Sequence, residues 1–239
     1  MQPNLPHMAE DIAAQTEMHA PSKVRGSTRA VRPVTEQDLR IVPANEASWE
    51  DLQKIFAARD PHRCQCQRFK IPGWIWRDST HPQRLAMFEE ETACGEPDAA
   101  DTTGLVAYLA GEPAGWVAVQ PRTLYPKLRT LRVPWTDREE DKDDDGVWAV
   151  TCFAVRKGYR GRGLTYPLAR ATVDFARRRG ARALEGYPMM TEPGKTITWG
   201  ELHVGARQVF EEAGFKEVSS PTKRRFVMRI DFPPGDAAA

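Results

Sequence analysis

The order of apolar and polar positions predicts alternating strands and helices over most of the chain. The clearest strand signal is the nearly unbroken apolar run at 147–155, and the clearest helix follows at 164–179, where apolar residues recur on one face. Gly180 stands just past that helix, where glycine commonly ends one, and residues 183–187 predict the next strand. A strand, a helix and a strand in this order predict a right-handed crossover with locally parallel strands.

Weaker patterns predict the other elements of the same arrangement. Ser48 stands at the start of one helical pattern as an N-cap, with Asp51 three residues on as its capping-box partner. The region 60–82 is irregular and rich in aromatic residues. In chain order the remaining predicted elements are a strand at 40–43, helices at 46–59 and 82–91, hairpin strands at 105–109 and 116–120 joined by the turn-rich connector 110–115, a helix at 206–213 and a last strand at 226–230.

These elements predict one α/β domain with a mixed sheet over residues 31–232. Residues 1–30 contain scattered prolines and charges without apolar periodicity, and residues 233–239 also have the composition of a tail. We therefore expect a single domain with a tail at each end.

The charge balance narrows the classes of function. With 34 Lys and Arg against 33 Asp and Glu, the 239-residue chain has a net charge of +1, whereas binding nucleic acid through bulk charge needs a basic excess. The longest apolar run is far shorter than the ~20 residues that span a bilayer, and the N-terminus has no signal-peptide pattern. Four cysteines in a chain of this length are not a disulfide framework. We expect a soluble, cytoplasmic protein with no nucleic-acid or membrane partner.

The segment 155–165, V-R-K-G-Y-R-G-R-G-L-T, joins the clearest strand to the clearest helix. Gly161 and Gly163 lack a Cβ where the backbone would approach a ligand, and the free N–H groups of a helix N-terminus attract anions. Four basic side chains surround these glycines: Arg156, Lys157, Arg160 and Arg162. The segment therefore predicts a site for a pyrophosphate.

Three kinds of pyrophosphate site compete. A P-loop needs Lys-Ser or Lys-Thr after its glycines, and this segment has neither. A dinucleotide-binding fingerprint needs a third glycine where Tyr166 stands, although Glu185 could imitate its ribose-binding acid. The third kind holds the pyrophosphate of coenzyme A.

Residues 160–165, R-G-R-G-L-T, resemble motif A of the GNAT superfamily of acyl-CoA-dependent N-acyltransferases, [RQ]-x-x-G-x-[GA]. Thr165 departs from that motif, which usually has Gly or Ala there. Other segments are similar to the family in the same order: G-W-V-A at 115–118, L-E-G-Y-P at 184–188 and V-F-E-E-A-G-F at 209–215. The resemblance extends over about residues 40–232.

The resemblance implies a GNAT-like fold, in which a mixed central sheet flanked by helices has two parallel strands that splay apart at an acyl-CoA cleft. It implies acetyl-CoA as co-substrate, bound through pantetheine contacts with the first strand and phosphate contacts with the glycine loop, and it implies no metal. The cofactor-binding residues so implied are Phe153, Ala154, Val155, Arg160, Gly161, Arg162, Gly163, Leu164 and Thr165.

The resemblance also suggests catalytic residues. The family often polarises the thioester carbonyl with a backbone N–H of the strand before the loop, which is Val155 here, and protonates the leaving thiolate with a Tyr where this chain has Phe210. Tyr187 and Tyr166 are the nearby alternatives to that Tyr. Two other candidates lie at the predicted cleft. Glu185 is a candidate base, because burial would raise the pKa of its carboxyl group. His203 stands where the family commonly has Asn. An ion pair with an arginine is the structural alternative for Glu185.

The acceptor is expected to be the amine of a small molecule. The tract 137–145, with seven carboxylates, either steers a cationic metabolite or antibiotic or is a solvated loop.

Cys64 and Cys66, near His62 and His81, have C-x-C spacing, which does not match a structural zinc site, so no metal is expected. A non-catalytic acyl-CoA-binding domain, a protein N-acetyltransferase and a nucleotide-binding oxidoreductase remain alternatives. Family members are often dimers, so a homodimer is compatible with the sequence.

Overall fold

The computed structural model describes residues 34–192, 194 and 196–233, which form a seven-stranded mixed sheet with helices on both faces. The strands are β1 (Leu39–Pro43), β2 (Leu105–Leu109), β3 (Glu112–Pro121), β4 (Val147–Val155), β5 (Ala183–Gly186), β6 (Lys216–Thr222) and β7 (Arg225–Asp231). Their order is β1-β2-β3-β4-β5-β7-β6. β4 and β5 are parallel, and the other neighbouring strands in this order are antiparallel.

Two layers of helices cover the sheet. The helices are α1 (Trp49–Phe56), α2 (Arg59–Cys64), α3 (Gly73–Asp78), α4 (His81–Thr92), α5 (Thr165–Arg178), α6 (Trp199–Leu202) and α7 (Arg207–Glu212). Val117 and Val119 belong to the core cluster under α5, whereas Trp116 and Ala118 belong to the cluster under α1. Since successive side chains of a strand point to opposite faces, α5 and α1 pack on opposite sides of β3. None of the described helices is long and apolar enough to cross a bilayer.

Several sequence predictions are confirmed in detail. Ser48 caps α1 by accepting a hydrogen bond from the backbone N–H of Asp51 at 3.1 Å. The buried positions of α5 recur at helical spacing: Leu168, Ala169, Thr172, Phe175 and Ala176. Burying a large apolar side chain contributes about 1.5–3 kcal/mol, so this face holds α5 against the sheet.

Other predictions are wrong or incomplete. Residues 60–82, expected to be irregular, contain most of α2 and all of α3; these helices are short, and Pro61 inside α2 and Pro72 just before α3 obscure the periodicity. β6 was not predicted because its side chains are mostly exposed and its backbone pairs with β7. The predicted strand 116–120 is part of the longer β3. The tail predicted at 1–30 lies outside the described residues, as does 233–239 apart from Pro233, so the domain boundaries stay predictions.

The parallel strands splay apart as predicted. Pairing of β4 with β5 runs from Val147 opposite Ala183 to Val150 opposite Gly186. β4 then continues to Val155, whereas β5 ends at Gly186. The last part of β4 therefore has no β5 neighbour, and the fold matches the GNAT-like arrangement expected from the sequence.

Candidate active site

A cavity of about 380 Å³ opens beside the loop that joins β4 to α5, and we name it the loop cavity. Its lining residues are Phe153, Val155, Tyr159, Arg160, Gly161, Gly163, Leu164, Thr165, Ile197, Trp199 and Leu202. Most of the predicted cofactor-binding residues are among them. Ala154 and Arg162 are not among the lining residues. Ala154 is instead buried in the core cluster under α1.

The backbone of this loop needs its glycines. Gly161 and Gly163 have φ values of +74° and +77°, in the left-handed region that residues with a Cβ rarely adopt. Leu164 precedes α5 and gives its first turn no side-chain cap. The N–H of Tyr166 donates to the backbone oxygen of Gly163 at 3.1 Å and Pro167 has no N–H, so an anionic ligand would meet the N–H groups of the loop just before these residues.

Among the described residues, two basic side chains of the loop have contacts with uncharged groups and a third is paired with a carboxylate. Arg160 donates to the backbone oxygen of Val155 at 3.0 Å, and the guanidinium carbon of Arg162 lies 5.3 Å from the ring centre of Tyr159. Arg156 differs because it is paired with the carboxylate of Glu112 at 3.1 Å. Because the partners of Arg160 and Arg162 are uncharged, a phosphate would meet cations here.

The short helix α6 closes the gap between the splayed strands. The backbone N–H of Phe153 donates to the backbone oxygen of His203 at 2.6 Å, and the indole N–H of Trp199 donates to the backbone oxygen of Phe153 at 3.2 Å. Backbone groups alternate in direction along a strand, so the N–H of Val155 points toward the same gap. The sequence did not predict that Phe153 already uses the backbone groups assigned to pantetheine.

A second cavity, of about 240 Å³, lies beside His203, and we name it the His203 cavity. Its lining residues are Arg68, Phe69, Lys127, Leu128, Leu131, Val133, Pro134, Tyr187, Gly200, His203, Val204 and Arg225. Trp199 and Leu202 of α6 line the loop cavity, whereas Gly200 lines the His203 cavity. The two cavities thus meet α6 from different sides.

His203 is a buried imidazole, 4% exposed, and neither ring nitrogen makes a hydrogen bond of regular geometry with the part of the chain that the structure describes, although the backbone of Trp199 and Gly200 lies close enough to favour the charged ring slightly. Its ring packs between Phe69 and Trp199, with centroid distances of 5.8 and 5.3 Å. Burial, reinforced by the charge of Arg68, lowers the pKa of His203 to about 4. The ring is therefore neutral at pH 7 and has an available lone pair.

Glu185 is completely buried and surrounded by donors. Its carboxylate accepts from Arg122 at 3.2 Å, from Arg229 at 2.8 Å, from Arg138, and from the hydroxyl of Tyr187 at 3.1 Å. Burial alone would raise the pKa of Glu185, but the ion pairs with Arg138 and Arg122 outweigh it and leave the pKa below its usual value. These contacts match the ion-pair alternative; a role as general base stays a prediction that they do not favour.

Tyr187 links the Glu185 cluster to the His203 cavity, because its ring lines that cavity while its hydroxyl donates to Glu185. Burial and the nearby carboxylate raise the pKa of Tyr187 well above its usual value. The phenol is therefore protonated at neutral pH. Its catalytic role remains a prediction.

Comparison with known proteins decides the family. Residues 50–187 match the family model described as the acetyltransferase (GNAT) family, which covers more than half of the chain. The chain belongs to the GNAT family of acetyltransferases. The resemblance read from the glycine loop is therefore confirmed.

Individual relatives of this GNAT chain are distant. The ribose 1,5-bisphosphate phosphokinase PhnN of Methylobacterium radiotolerans is 27% identical over 128 residues, which are 52% of this chain and 66% of that protein. A GCN5-related N-acetyltransferase from Kribbella flavida is 18% identical, with 83% of this chain and 100% of that one covered and a TM-score of 0.47. An N-acetyltransferase from Staphylococcus aureus Mu50 is 15% identical, with coverage of 81% and 98% and a TM-score of 0.46.

Phe210 of the GNAT chain is a core residue. It is fully buried, and its ring centre lies 5.9 Å from that of Phe153 and 5.0 Å from that of Phe215. It also packs so closely on Gly186 that a Cβ at this glycine would overlap the ring. The site therefore has no thiolate proton donor at this position.

The cysteines belong to the protein interior. Cys66 packs under α1 with Cys152 and accepts a hydrogen bond from the indole N–H of Trp116 at 3.4 Å. Burial raises the pKa of the Cys64 thiol to about 11. Among the described residues, no group of three or more His, Cys, Asp or Glu side chains could hold a metal ion.

The acidic tract 137–145 is a loop, as predicted, but three of its seven carboxylates form ion pairs. Asp143 pairs with Arg129, Asp144 with Arg182 at 2.5 Å, and Glu140 with Arg229 at 2.9 Å. None of the tract's residues is among those that line the His203 cavity. Sequence reasoning also missed Arg68, Lys127 and Arg225 of that cavity, since no motif or spacing links these three positions.

Proposed function

We propose that this GNAT chain transfers the acetyl group of acetyl-CoA directly to the amine of a small molecule. The observation that carries the proposal is the pair of cavities at α6, one beside the glycine loop and the other beside a neutral, unpartnered imidazole. Acetyl-CoA fits the first by its charge, and the amine fits the second.

The loop and β4 would hold the cofactor. Its diphosphate lies against the backbone N–H groups of 160–165, and its pantetheine arm follows the free edge of β4. The N–H of Val155 points toward this edge and donates to the thioester oxygen, which gains charge during the reaction. Phe153 can contribute only after its bonds to α6 are exchanged for bonds to the arm.

His203 would handle the proton. The neutral amine attacks the thioester carbon, a C–N bond forms, and the nitrogen of the tetrahedral intermediate passes a proton to the imidazole. The C–S bond then breaks, and the imidazolium returns that proton to the departing thiolate. Because burial lowers the pKa of His203 to about 4, the imidazolium returns this proton readily, and proton uptake from the intermediate is the more demanding half of the relay; no Tyr is required at Phe210.

The size of the His203 cavity supports a small acceptor. Its 240 Å³ lies below the range of about 300–1,000 Å³ typical of sites for drug-sized ligands. A protein acceptor is therefore less favoured.

The curated relative's name gives no reason to propose a kinase, because this chain's glycine loop lacks the Lys-Ser or Lys-Thr of a P-loop. A cytoplasmic location, a homodimer and the lack of nucleic-acid, membrane and metal partners stay predictions.

Thiol release tests the proposal. Purified protein is incubated with acetyl-CoA and a panel of primary amines, free coenzyme A is measured with a thiol reagent, and acetylated product by mass spectrometry. We expect amine-dependent release, and we expect His203→Phe to lower kcat by about 10²–10⁴ with little change in the Kd for acetyl-CoA. Binding of acetyl-CoA without turnover would instead support the non-catalytic acyl-CoA-binding alternative, and no binding would exclude both.

A further inference from the structure

The His203 cavity has a strongly one-sided charge. Arg68, Lys127 and Arg225 line it, and its lining contains no Asp or Glu. They come from different parts of the chain: the segment after α2, the turn Pro126–Arg129 and the start of β7. The backbone N–H of Lys127 donates to the backbone oxygen of Phe69 at 3.1 Å, which fixes the first two segments to each other.

These three cations lack the carboxylate partners that many arginines of this fold have. Within the described ranges, no carboxylate lies within ion-pair distance of Arg68, Lys127 or Arg225. Glu201 is a nearby carboxylate whose charge acts on Arg225, but it is not part of the cavity wall and accepts from Thr198 at 3.2 Å.

The cost of this arrangement indicates a ligand. Burial and the charge of Arg68 lower the pKa of Lys127, and burial, despite the opposing effect of Glu201, lowers the pKa of Arg225. Arg68 is exposed, whereas Lys127 and Arg225 are half-buried, and cations brought together in this way without a counter-ion repel one another. By contrast, the buried Arg122 and Arg138 are neutralised by Glu185. A ligand that brings a negative charge would balance the His203 cavity in the same way.

We propose that the acceptor is an anionic amine, a small molecule whose carboxylate or phosphate-type group binds Arg68, Lys127 and Arg225 while its amine faces His203. This inference rests on the proposed acetyl transfer and deepens it. It replaces the cationic acceptor suggested by the acidic tract, whose Glu140, Asp143 and Asp144 are engaged with arginines and do not line the cavity.

Matched amines test the acceptor's charge. Coenzyme A release is measured with serine and serinamide, which differ by a carboxylate, and with O-phosphoethanolamine and ethanolamine, which differ by a phosphate. Because hydrogen bonds to charged groups are stronger than those between neutral groups, we expect kcat/KM to favour the anionic member of at least one pair by about tenfold or more. Which pair responds separates a carboxylate from a phosphate ligand.

Variants then assign the effect to the three cations. Arg68→Gln, Lys127→Gln and Arg225→Gln should each raise the KM for the preferred anionic acceptor about tenfold and leave the KM for acetyl-CoA unchanged. Arg170→Gln, on an exposed arginine of α5, is the matched control and should change neither. If the variants raise the KM for acetyl-CoA instead, the cluster serves the cofactor's phosphates and the inference is overturned.

Direct binding keeps the inference separate from the proposed function. Calorimetry with O-phosphoethanolamine, serine and inorganic phosphate, with coenzyme A present, should detect binding to the wild type that Lys127→Gln weakens, even if no amine is acetylated. Equal turnover of charged and neutral amines would overturn the inference but leave acetyl transfer standing. Failure of all these probes to bind at millimolar concentrations, together with no turnover preference, would overturn it as well.

Discussion

Replacement of Glu185 by Gln tests the buried ion-pair cluster, because Gln has nearly the same shape but no charge. In the wild type the carboxylate neutralises Arg122 and Arg138, which are 1% and 4% exposed. Removing one partner of a buried ion pair typically costs about 3–5 kcal/mol. Glu140 remains as a partner for Arg138, so we expect the lower end, about 3 kcal/mol of lost stability.

Urea unfolding followed by tryptophan fluorescence measures this loss. Glu211→Gln is the matched control, since Glu211 pairs with Arg207 on the surface of α7, and such pairs contribute only about 0–1 kcal/mol. A loss below about 1 kcal/mol for Glu185→Gln would refute our account of the cluster. The same variant's kcat separates structure from catalysis: a large drop in kcat at temperatures where the variant is folded would favour Glu185 as the base.

The pH dependence of the wild type gives an independent check. The folded-state pKa of Glu185 lies below its usual value of 4.5, so the unfolded chain takes up a proton at this group at a higher pH than the folded chain does. The stabilisation is therefore present above about pH 4.5 and is lost as the pH falls through the folded-state pKa. We expect the stability difference between wild type and Glu185→Gln to shrink over that range.

Three further predictions concern the site and its surroundings. Because burial lowers the pKa of His203 from 6.5 to about 4, the unfolded chain binds more protons between these values, and the wild type should melt lower at pH 5 than at pH 7; His203→Phe should reduce this difference in thermal unfolding. Gly161→Ala or Gly163→Ala should weaken acetyl-CoA binding in calorimetry, because both positions have positive φ. Gly180→Ala, equally strained at φ +80° but beyond the far end of α5, should leave that affinity unchanged. Phe210→Tyr should lower stability by about 1–3 kcal/mol in urea unfolding without raising kcat, because its hydroxyl would be buried among apolar rings; a rise in kcat would contradict this.

The elements around the loop could be predicted from the sequence because local signals determine them. β4 is a continuous apolar run, α5 has a clear apolar face, and two glycines lie between them at the spacing of a phosphate-binding turn. Ser48 could be identified as a cap because its partner is only three residues away. By contrast, β6 is held by backbone pairing with β7 and has no apolar pattern to reveal it.

The properties of the site depend on contacts between distant positions. The pKa of Glu185 is set by Arg122, Arg138 and Arg229, up to 63 residues away in the chain, so its burial could be expected but not the sign of its shift. The position of His203 followed from the family resemblance, whereas the cations around its cavity come from segments with no shared pattern. The charge of a cavity depends on which distant residues the fold brings together, so no short stretch of sequence predicts it.

The two hydrogen bonds that join α6 to Phe153 bear on the kinetic order of the reaction. A thioester arm that takes over those backbone groups must release Trp199 and the backbone of His203, and the released residues also shape the compartment for the second substrate. We expect acceptors to bind weakly to the empty protein and tightly once the nucleotide carrier is seated. Initial-rate patterns should then show compulsory sequential addition with the carrier first, and random addition would argue that α6 stays in place.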